Sequence, residues 1–332
     1  MRLTRIAGTG HYLPETVVTN KDLEKLMDTS DEWIQERSGI KERRFVEPGT
    51  GSTDLGTMAA HAALEEAGWD PGDIQFIIFA TLSPDMYFPG NGVLLQNQLN
   101  LDEIGALDIR NQCTGFVYGI SAADAYIRMG MYDRILLVGA EVQSAGIVFD
   151  TEHRDTAVLF GDGAGAVCLE VTDGSDDSHL IWHHLHSNGK FAEELCMSVP
   201  SAKERPWLTR EMIDDGRIFP HMNGREVFRN AVVKFPAVIM EALEMQGLTP
   251  DSVKMVIPHQ ANERITEGVR KRLGVPKEKV FSNIAKYGNT TAASIPIALS
   301  EAVKSGLIER GDLVCLAAFG SGFTWGASLL KY

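Results

Sequence analysis

The amino-acid sequence predicts an α/β fold made of two similar halves. Residues 62–81 (AALEEAGWDPGDIQFIIFAT) align with residues 241–260 (EALEMQGLTPDSVKMVIPHQ) at a constant offset of 179. The continuous apolar runs FIIFAT, ILLVGA, MVIP and LVCLAAF are typical of strands that are buried on both faces. Each half is therefore predicted to hold a buried mixed sheet that helices cover.

Each copy of the repeat is predicted to be a helix, a turn and a strand, in that order. The helix ends at a glycine, Gly68 or Gly247, and a proline-containing turn leads into the apolar strand. A second match, at an offset of 176, aligns Cys113 with Asn289. We therefore expect these two residues at equivalent helix N-termini, where face-to-face packing of the halves would bring both into one pocket.

The repeat divides the chain into three parts. Residues 1–171 form the first predicted half, which carries Cys113, and residues 223–332 form the second half, which carries His259 and Asn289. Residues 172–222 are polar, rich in turns and without a repeat partner in the sequence, so they are predicted to be an insertion or cap.

Composition and charge narrow the class of protein. The 332 residues are 44% hydrophobic and 23% charged, which is typical of a globular enzyme. A net charge of −14 argues against nucleic acid and anionic membranes as partners. The N-terminus lacks the apolar run of a signal peptide, and no stretch approaches the roughly 18 apolar residues of a membrane span. The four cysteines are scattered, so reduced thiols in the cytoplasm are predicted.

Cys113 is the strongest candidate for a nucleophile. It lies where the predicted strand ALDIR ends and a helix begins, and the partial positive charge at a helix N-terminus can lower the pKa of a thiol. The alternative for any free cysteine is a small buried hydrophobic residue. We prefer that alternative for Cys168 and Cys315, which lie in the middle of apolar strands.

His259 and Asn289 complete the candidate site. His259 directly follows the predicted strand KMVIP, a place where a histidine is commonly just a hydrogen-bonded polar residue. A histidine and an amide can together hold the oxygen of an enolate, while a cysteine can carry an acyl group. No spacing among the other histidines indicates a metal site; His183, His184 and His186 alternate as the two faces of one strand would.

Several motifs, in the same order, resemble the β-ketoacyl-acyl carrier protein synthase III family of the thiolase-like superfamily. They are TSDEWIQERSGI (29–40), CTGF at Cys113, FGDGAGA, PHQAN, YGNTTAAS and FGSGFTWGA, and they cover the chain essentially from end to end. The resemblance implies a thiolase-like fold in which the duplicated halves form five αβαβα layers. It also implies a homodimeric acyltransferase of fatty acid biosynthesis that needs no cofactor and uses acyl-CoA and malonyl-acyl carrier protein.

The same resemblance implies a role for each candidate residue. Cys113 would carry the acyl group, His259 and Asn289 would hold the enolate formed when the malonyl group loses carbon dioxide, and backbone N–H groups of Cys113 and Ser321 would form an oxyanion hole. The other matching positions are Trp33, Arg37, Arg154, Gly224, Ala261 and Asn262 for coenzyme A, Arg229 and Arg264 for carrier-protein docking, and Phe88 and Phe319 for the acyl pocket. Phe88 matches a position that reaches the pocket of the partner subunit.

Related classes of protein differ in their catalytic residues or in the acceptor that they use. A thiolase pairs its nucleophile with a cysteine near the C-terminal glycine turn, whereas Cys315 lies in the preceding strand, so decarboxylative condensation is favoured. A hydroxymethylglutaryl-type synthase uses a glutamate, for which only Glu141 stays open. An enzyme of specialised metabolism, of the quinolone, pyrone or polyketide starter type, would keep the acyl-Cys113 intermediate and use another acceptor. A non-catalytic partner subunit would form no acylated cysteine.

Overall fold

Two β-sheets and the helices around them make up most of residues 2–332, the part of the chain that the computed structural model describes. The strands are β1 (Leu3–Tyr12), β2 (Thr16–Thr19), β3 (Glu42–Phe45), β4 (Phe76–Ala80), β5 (Gly105–Ile109), β6 (Arg134–Glu141), β7 (Gly163–Thr172), β8 (His179–Ser187), β9 (Leu195–Cys196), β10 (His221–Met222), β11 (Met255–Pro258), β12 (Leu313–Gly320) and β13 (Thr324–Lys331). The helices are α1 (Asn20–Leu23), α2 (Asp31–Ser38), α3 (Ser52–Ala67), α4 (Asn91–Gln98), α5 (Gly115–Arg128), α6 (Arg154–Ala157), α7 (Arg210–Asp214), α8 (Gly224–Met245), α9 (Glu263–Leu273), α10 (Ile284–Tyr287) and α11 (Ser294–Lys304). None of the helices within residues 2–332 combines the length and apolar character that crossing a membrane requires.

The two large sheets have matching strand orders. The first sheet runs β1-β7-β6-β4-β5, and the second runs β8-β13-β12-β11. In the first sheet β4 is parallel to β6, while β7 is antiparallel to both of its neighbours. In the second sheet β11 is parallel to β12, and β13 is antiparallel to both of its neighbours. The predicted duplication with mixed sheets is therefore confirmed.

The second sheet begins earlier in the chain than the sequence predicts. β8 lies within residues 172–222, the predicted insertion, yet it pairs with β13 along its length, from His179 opposite Lys331 to Ser187 opposite Thr324. The prediction of an insertion is therefore wrong for β8, which occupies the position that β1 has in the first sheet. β8 is an edge strand that is only partly buried along most of its length, so it lacks the apolar run that reveals the central strands.

Helices and sheets alternate in five layers. α3 and α4 pack on the outer face of the first sheet, and α8 and α9 pack on the outer face of the second. Between the sheets lie α5 and α11, whose apolar side chains contact both, as Phe116 and Leu299 do in a cluster with Ile78 and Leu316. This confirms the predicted αβαβα arrangement, and it places the N-termini of the two central helices against the ends of strands from both halves.

The two central helices, α5 and α11, are equivalent at their starts at an offset of 179. Each follows a 3-10 turn that contains one left-handed residue, Gln112 with φ 46° and Thr291 with φ 48°. Cys113 is thus the structural equivalent of Ala292, and the predicted equivalence with Asn289 is wrong. The offset falls to 176 only at the far ends of the helices, because α5 has 14 residues and α11 has 11.

Backbone atoms of α3 and β1 lie in close contact at Gly10. A Cβ there would lie 2.3 Å from the carbonyl oxygen of Ala59 and 2.3 Å from the amide nitrogen of Ala63. We expect Gly10→Ala to lower the free energy of unfolding by about 3 kcal/mol, because relief requires the helix to move away from the sheet. Urea unfolding followed by circular dichroism measures the change. Gly72→Ala is the control, because a Cβ there has no neighbour within 4 Å in the described part of the chain. Equal urea midpoints of unfolding for the two variants would contradict the prediction.

Candidate active site

A cavity of about 530 Å³ is lined by residues from both halves and contains most of the predicted site residues. The predicted residues in its wall are Trp33, Arg37, Cys113, Gly224, His259, Ala261, Asn262, Arg264, Asn289 and Phe319. The predicted residues Phe88, Arg154, Arg229 and Ser321 lie outside this wall. The structure thus brings Cys113, His259 and Asn289 to one cavity, although they are far apart in the sequence.

Cys113 lies in the 3-10 turn before α5 and contacts the end of β12. The backbone N–H groups of Cys113 and Ser321 both act to lower the pKa of its thiol. The last residue of β12 passes so close that a Cβ on Gly320 would lie 2.5 Å from the Cβ of Cys113 and 2.9 Å from its sulfur. The end of β12 therefore packs directly against Cys113, so both halves of the molecule surround the sulfur.

Burial keeps the Cys113 thiol protonated. The residue is 9% exposed, and burial, followed by the nearby negative charge of Glu141, raises the pKa of its thiol to about 12. The two backbone N–H groups lower the pKa by less than burial raises it. The prediction that the helix N-terminus lowers this pKa is therefore wrong, because desolvation of the thiolate is the larger effect.

His259 is a neutral imidazole held by a serine of α11. It is 1% exposed, and burial lowers its pKa to about 3. Its Nδ1 lies 2.6 Å from the hydroxyl oxygen of Ser294, which also accepts a long hydrogen bond from the backbone N–H of Gln260 at 3.4 Å. Within residues 2–332 its Nε2 has no hydrogen-bond partner. A serine that donates to Nδ1 leaves the imidazole proton on Nε2, so His259 can offer a hydrogen bond to a group in the cavity.

The side chain of Asn289 is oriented by the turn that follows it. Its Oδ1 accepts a hydrogen bond from the backbone N–H of Thr291 at 2.9 Å, and its own backbone N–H donates to the carbonyl of Leu159 at 2.8 Å. Because the amide oxygen is occupied, the amide nitrogen is the group that Asn289 can offer to the cavity.

Glu141 is a fully buried carboxylate at the end of β6. It is 0% exposed, and burial raises its pKa to about 7 despite several hydrogen bonds that lower it. Its carboxylate accepts hydrogen bonds from Thr81, Leu82 and Ser83 of the first half. It also accepts one from the backbone N–H of Ala292 of the second half, at 3.3 Å. These contacts join the two halves behind the site. Glu141 does not line the cavity, which argues against the glutamate role of a hydroxymethylglutaryl-type synthase.

Trp33 and Arg37 line the cavity, and Arg154, which lies outside its wall, also contacts the Trp33 ring. The guanidinium carbon of Arg37 lies 4.5 Å from the centroid of the Trp33 ring, and that of Arg154 lies 5.1 Å from it. Both distances are within the range of cation–π interactions. The ring of Trp33 therefore has two guanidinium groups against it.

The remaining predicted residues divide between the cavity wall and the surface. Asn262 caps α9 by accepting from the backbone N–H of Arg264 at 2.8 Å. The guanidinium of Arg264 lies 5.4 Å from the ring of Phe228. Arg229 is exposed and is paired with Glu226 at 2.6 Å. Phe88 is 76% exposed, so its side chain is free of the chain's own core.

Sequence reasoning missed the contribution of Ser294 and the orientation of Asn289. Ser294 lies 35 positions from His259, and no short motif links them. The hydrogen bond to Asn289 depends on the left-handed backbone of Thr291, which the residue type does not favour. Both features became visible only through contacts in space.

A duplicated α/β fold whose halves enclose a buried cysteine, a neutral histidine and an oriented amide defines a thiolase-like condensing enzyme. The model of the 3-oxoacyl-(acyl-carrier-protein) synthase III family matches residues 107–189. The model of the C-terminal part of the same family matches residues 243–332. The β-ketoacyl-(acyl-carrier-protein) synthase III of Aquifex aeolicus is 46% identical over 329 residues, which are 99% of this chain and 99% of that protein. The chain belongs to the 3-oxoacyl-(acyl-carrier-protein) synthase III family and is an acyltransferase of the condensing type.

Solved structures agree with this assignment. The structural alignment with the crystal structure of the Aquifex aeolicus synthase III covers 99% of this chain and 100% of the crystallised chain, with a TM-score of 0.90. The crystal structure of a priming β-ketosynthase from a polyketide biosynthetic pathway is 32% identical in sequence. Its structural alignment covers 99% of this chain and 96% of the ketosynthase chain, with a TM-score of 0.90. The predicted thiolase-like fold is therefore confirmed.

Proposed function

We propose that this protein condenses an acyl-CoA primer with malonyl-acyl carrier protein through an acyl-Cys113 intermediate. The products are 3-oxoacyl-acyl carrier protein, carbon dioxide and coenzyme A. The observation that carries the proposal is the shared cavity, where the thiol of Cys113 lies with two unoccupied donor groups, on His259 and Asn289.

In the first stage the sulfur of Cys113 attacks the thioester carbonyl of acyl-CoA. The new C–S bond replaces the bond to coenzyme A, and the thiol proton ends on the departing sulfur, so the exchange is balanced. The backbone N–H groups of Cys113 and Ser321 would support this step by donating to the carbonyl oxygen of the acyl group, which becomes the oxyanion when the sulfur attacks. The high pKa of the thiol means that the proton leaves during the attack rather than before it.

In the second stage the malonyl group loses carbon dioxide, and the electrons of the broken C–C bond form an enolate. His259 Nε2 and the Asn289 amide donate hydrogen bonds to its oxygen. The enolate carbon attacks the acyl-cysteine carbonyl, the C–S bond breaks, and the Cys113 thiolate that leaves takes up a proton from solvent. A histidine with a pKa near 3 suits this stage, because it donates a hydrogen bond without having to be charged.

The remaining site residues support binding of the two carriers. Trp33, Arg37 and Arg154 offer a ring and two cations to the nucleotide end of coenzyme A. Arg229 and Arg264 offer positive charge to an acidic carrier protein, on a chain whose net charge is −14. The exposed Phe88 suits a homodimer in which this side chain enters the partner's acyl pocket. The cytoplasm stays the predicted location.

Ser294 is expected to act as a positioning residue for His259. In Ser294→Ala the imidazole is free to carry its proton on Nδ1, which removes the donor at Nε2. We expect the condensation rate to fall at least tenfold, up to the roughly 10²–10³-fold that the loss of one oxyanion donor costs. Self-acylation by acyl-CoA should stay near the wild-type rate.

Ser300→Ala is the matched control for this variant. Ser300 is a buried serine of the same helix, and its hydroxyl lies 2.9 Å from Nδ1 of another histidine, His11. Single-turnover measurements of acylation and condensation separate the two stages. Equal condensation rates in Ser294→Ala and Ser300→Ala would show that Ser294 has no special part in positioning.

Intact-protein mass spectrometry tests the proposed function. The protein is incubated with a series of acyl-CoAs and then with malonyl-acyl carrier protein. A mass gain on Cys113 that disappears on the second addition, with formation of 3-oxoacyl-acyl carrier protein, is the expected result. A gain that survives the addition would indicate a different acceptor, and no gain with any acyl-CoA would contradict the acyl-CoA primer.

A further inference from the structure

We propose that His184, His186 and Glu241 form a binding site for a divalent transition-metal cation, with zinc as its expected occupant. The two histidines lie on β8 and the glutamate lies on α8, so the site joins the edge strand of the second sheet to the helix that covers it. Residues two apart on a strand share a face, and the intervening Leu185 packs into the core between the sheets. Both imidazoles therefore face α8.

The possible ligand atoms converge at a suitable separation. One nitrogen of each histidine and one carboxylate oxygen of Glu241 all lie within 4.8 Å of one another. Nε2 of His186 is 2.8 Å from Oε2 of Glu241, and Nε2 of His184 is 3.5 Å from the same oxygen. Tetrahedral zinc with bonds of about 2.0–2.1 Å to nitrogen and oxygen places its ligand atoms about 3.3 Å apart. The observed separations lie on both sides of that value, so small rotations of the side chains would complete the site.

The surroundings hold the histidines in place. The ring of His186 stacks on Trp325 of β13, with centroids 5.2 Å apart and an angle of 26°, and it meets the ring of His184 edge-on at 4.7 Å. The side chains of the three residues are between 27% and 49% exposed, which leaves room for an ion and its remaining water ligands to enter. Rings fixed by packing lose little freedom when they bind a metal.

The chemistry of the three side chains suits a metal cation. A dication can accept a lone pair from one ring nitrogen of each histidine and one from the carboxylate. Imidazole nitrogen selects zinc, copper or nickel over magnesium and calcium, which prefer oxygen ligands alone. The sequence did not reveal this site because Glu241 lies 55 residues beyond His186.

The site would stabilise the half of the molecule that carries His259 and Asn289. The first part of α8 lines the active-site cavity at Gly224, Phe228 and Phe235, while Glu241 lies further along the same helix. A metal held between Glu241 and β8 therefore fixes the helix against its sheet. Because the ion binds only the folded arrangement, it raises the unfolding temperature by mass action.

Isothermal titration calorimetry with zinc chloride on the untagged protein tests this inference. It is run on the full chain and on a Cys113→Ala background, because the active-site thiol could itself bind zinc. We expect one zinc ion per chain on the Cys113→Ala background and no binding of magnesium. Glu241→Gln and His184→Gln, each on that background, should weaken zinc binding at least tenfold and remove the rise in melting temperature that zinc causes.

His61→Gln on the same background is the control, because His61 is an exposed histidine of α3, on the other half of the molecule. Circular dichroism establishes that each variant is folded before titration. Zinc affinity in Glu241→Gln and His184→Gln equal to that of His61→Gln would overturn the site. So would an absence of zinc binding on the Cys113→Ala background.

Discussion

Replacing Cys113 by alanine is expected to abolish acyl transfer, with condensation falling by more than about 10⁴-fold. The expected loss is this large because the proposed reaction passes through a covalent bond to this sulfur, and Cys113 is the only cysteine among the described residues of the cavity wall. Mass spectrometry after incubation with acyl-CoA should find no acylated protein, and carbon dioxide release from malonyl-acyl carrier protein should no longer yield 3-oxoacyl product.

Cys315→Ala is the matched control for the first variant. Cys315 lies in β12, is 0% exposed, and has a pKa that burial raises to about 12, as for Cys113, but it does not line the cavity. Its removal should change stability slightly and leave acylation intact. Acylation that persists in Cys113→Ala and is lost in Cys315→Ala would show that Cys315, and not Cys113, is the nucleophile.

His259→Asn is expected to separate the two stages of the reaction. The asparagine amide can replace Nδ1 in the contact with Ser294, but nothing replaces the donor at Nε2. Condensation should fall by roughly 10²–10³-fold, as oxyanion-hole variants do, while self-acylation of Cys113 continues. Acyl-enzyme should therefore accumulate when acyl-CoA and malonyl-acyl carrier protein are both present.

The ratio of the two rates is the informative measurement for His259→Asn. A general-base role for the histidine in activating the thiol would slow acylation as much as condensation. Equal losses in both stages would therefore contradict the assignment of His259 to the enolate alone. Asn289→Ala, which removes the other proposed donor, should show the same pattern as His259→Asn.

Much of the fold could be predicted because buried central strands and repeated helix ends leave strong patterns. The runs FIIFA and LVCLAAF became β4 and β12, and the glycines that end the repeated helices, Gly68 and Gly247, both have left-handed backbones. The alternating histidines indicated a strand at β8, but its place in the second sheet was missed because an edge strand carries polar side chains and lacks a continuous apolar run. The register of Asn289 was also mistaken, since residue identity aligned the helix ends rather than their starts.

The candidate site could be located from the sequence, but its electrostatics could not. Motifs at Cys113, His259 and Asn289 pointed to residues that the fold brings to one cavity, and their proposed roles remain predictions until tested. The direction of the Cys113 pKa shift was mistaken because burial depends on chain segments far away in sequence, such as the end of β12 at Gly320. The same holds for Ser294, whose partner is defined by packing alone.

The difference in length between α5 and α11 shows where the two copies have been able to diverge. The copies keep a common frame where each helix begins, beside Cys113 and Ala292, and differ by nearly one turn where it ends, about 20 Å from Cys113 along α5. Drift in length has thus been confined to the rim of the molecule. An engineered extension by a whole turn is therefore better tolerated at that rim, since the same change at the start of either helix would move Cys113 or Ser294 relative to the cavity.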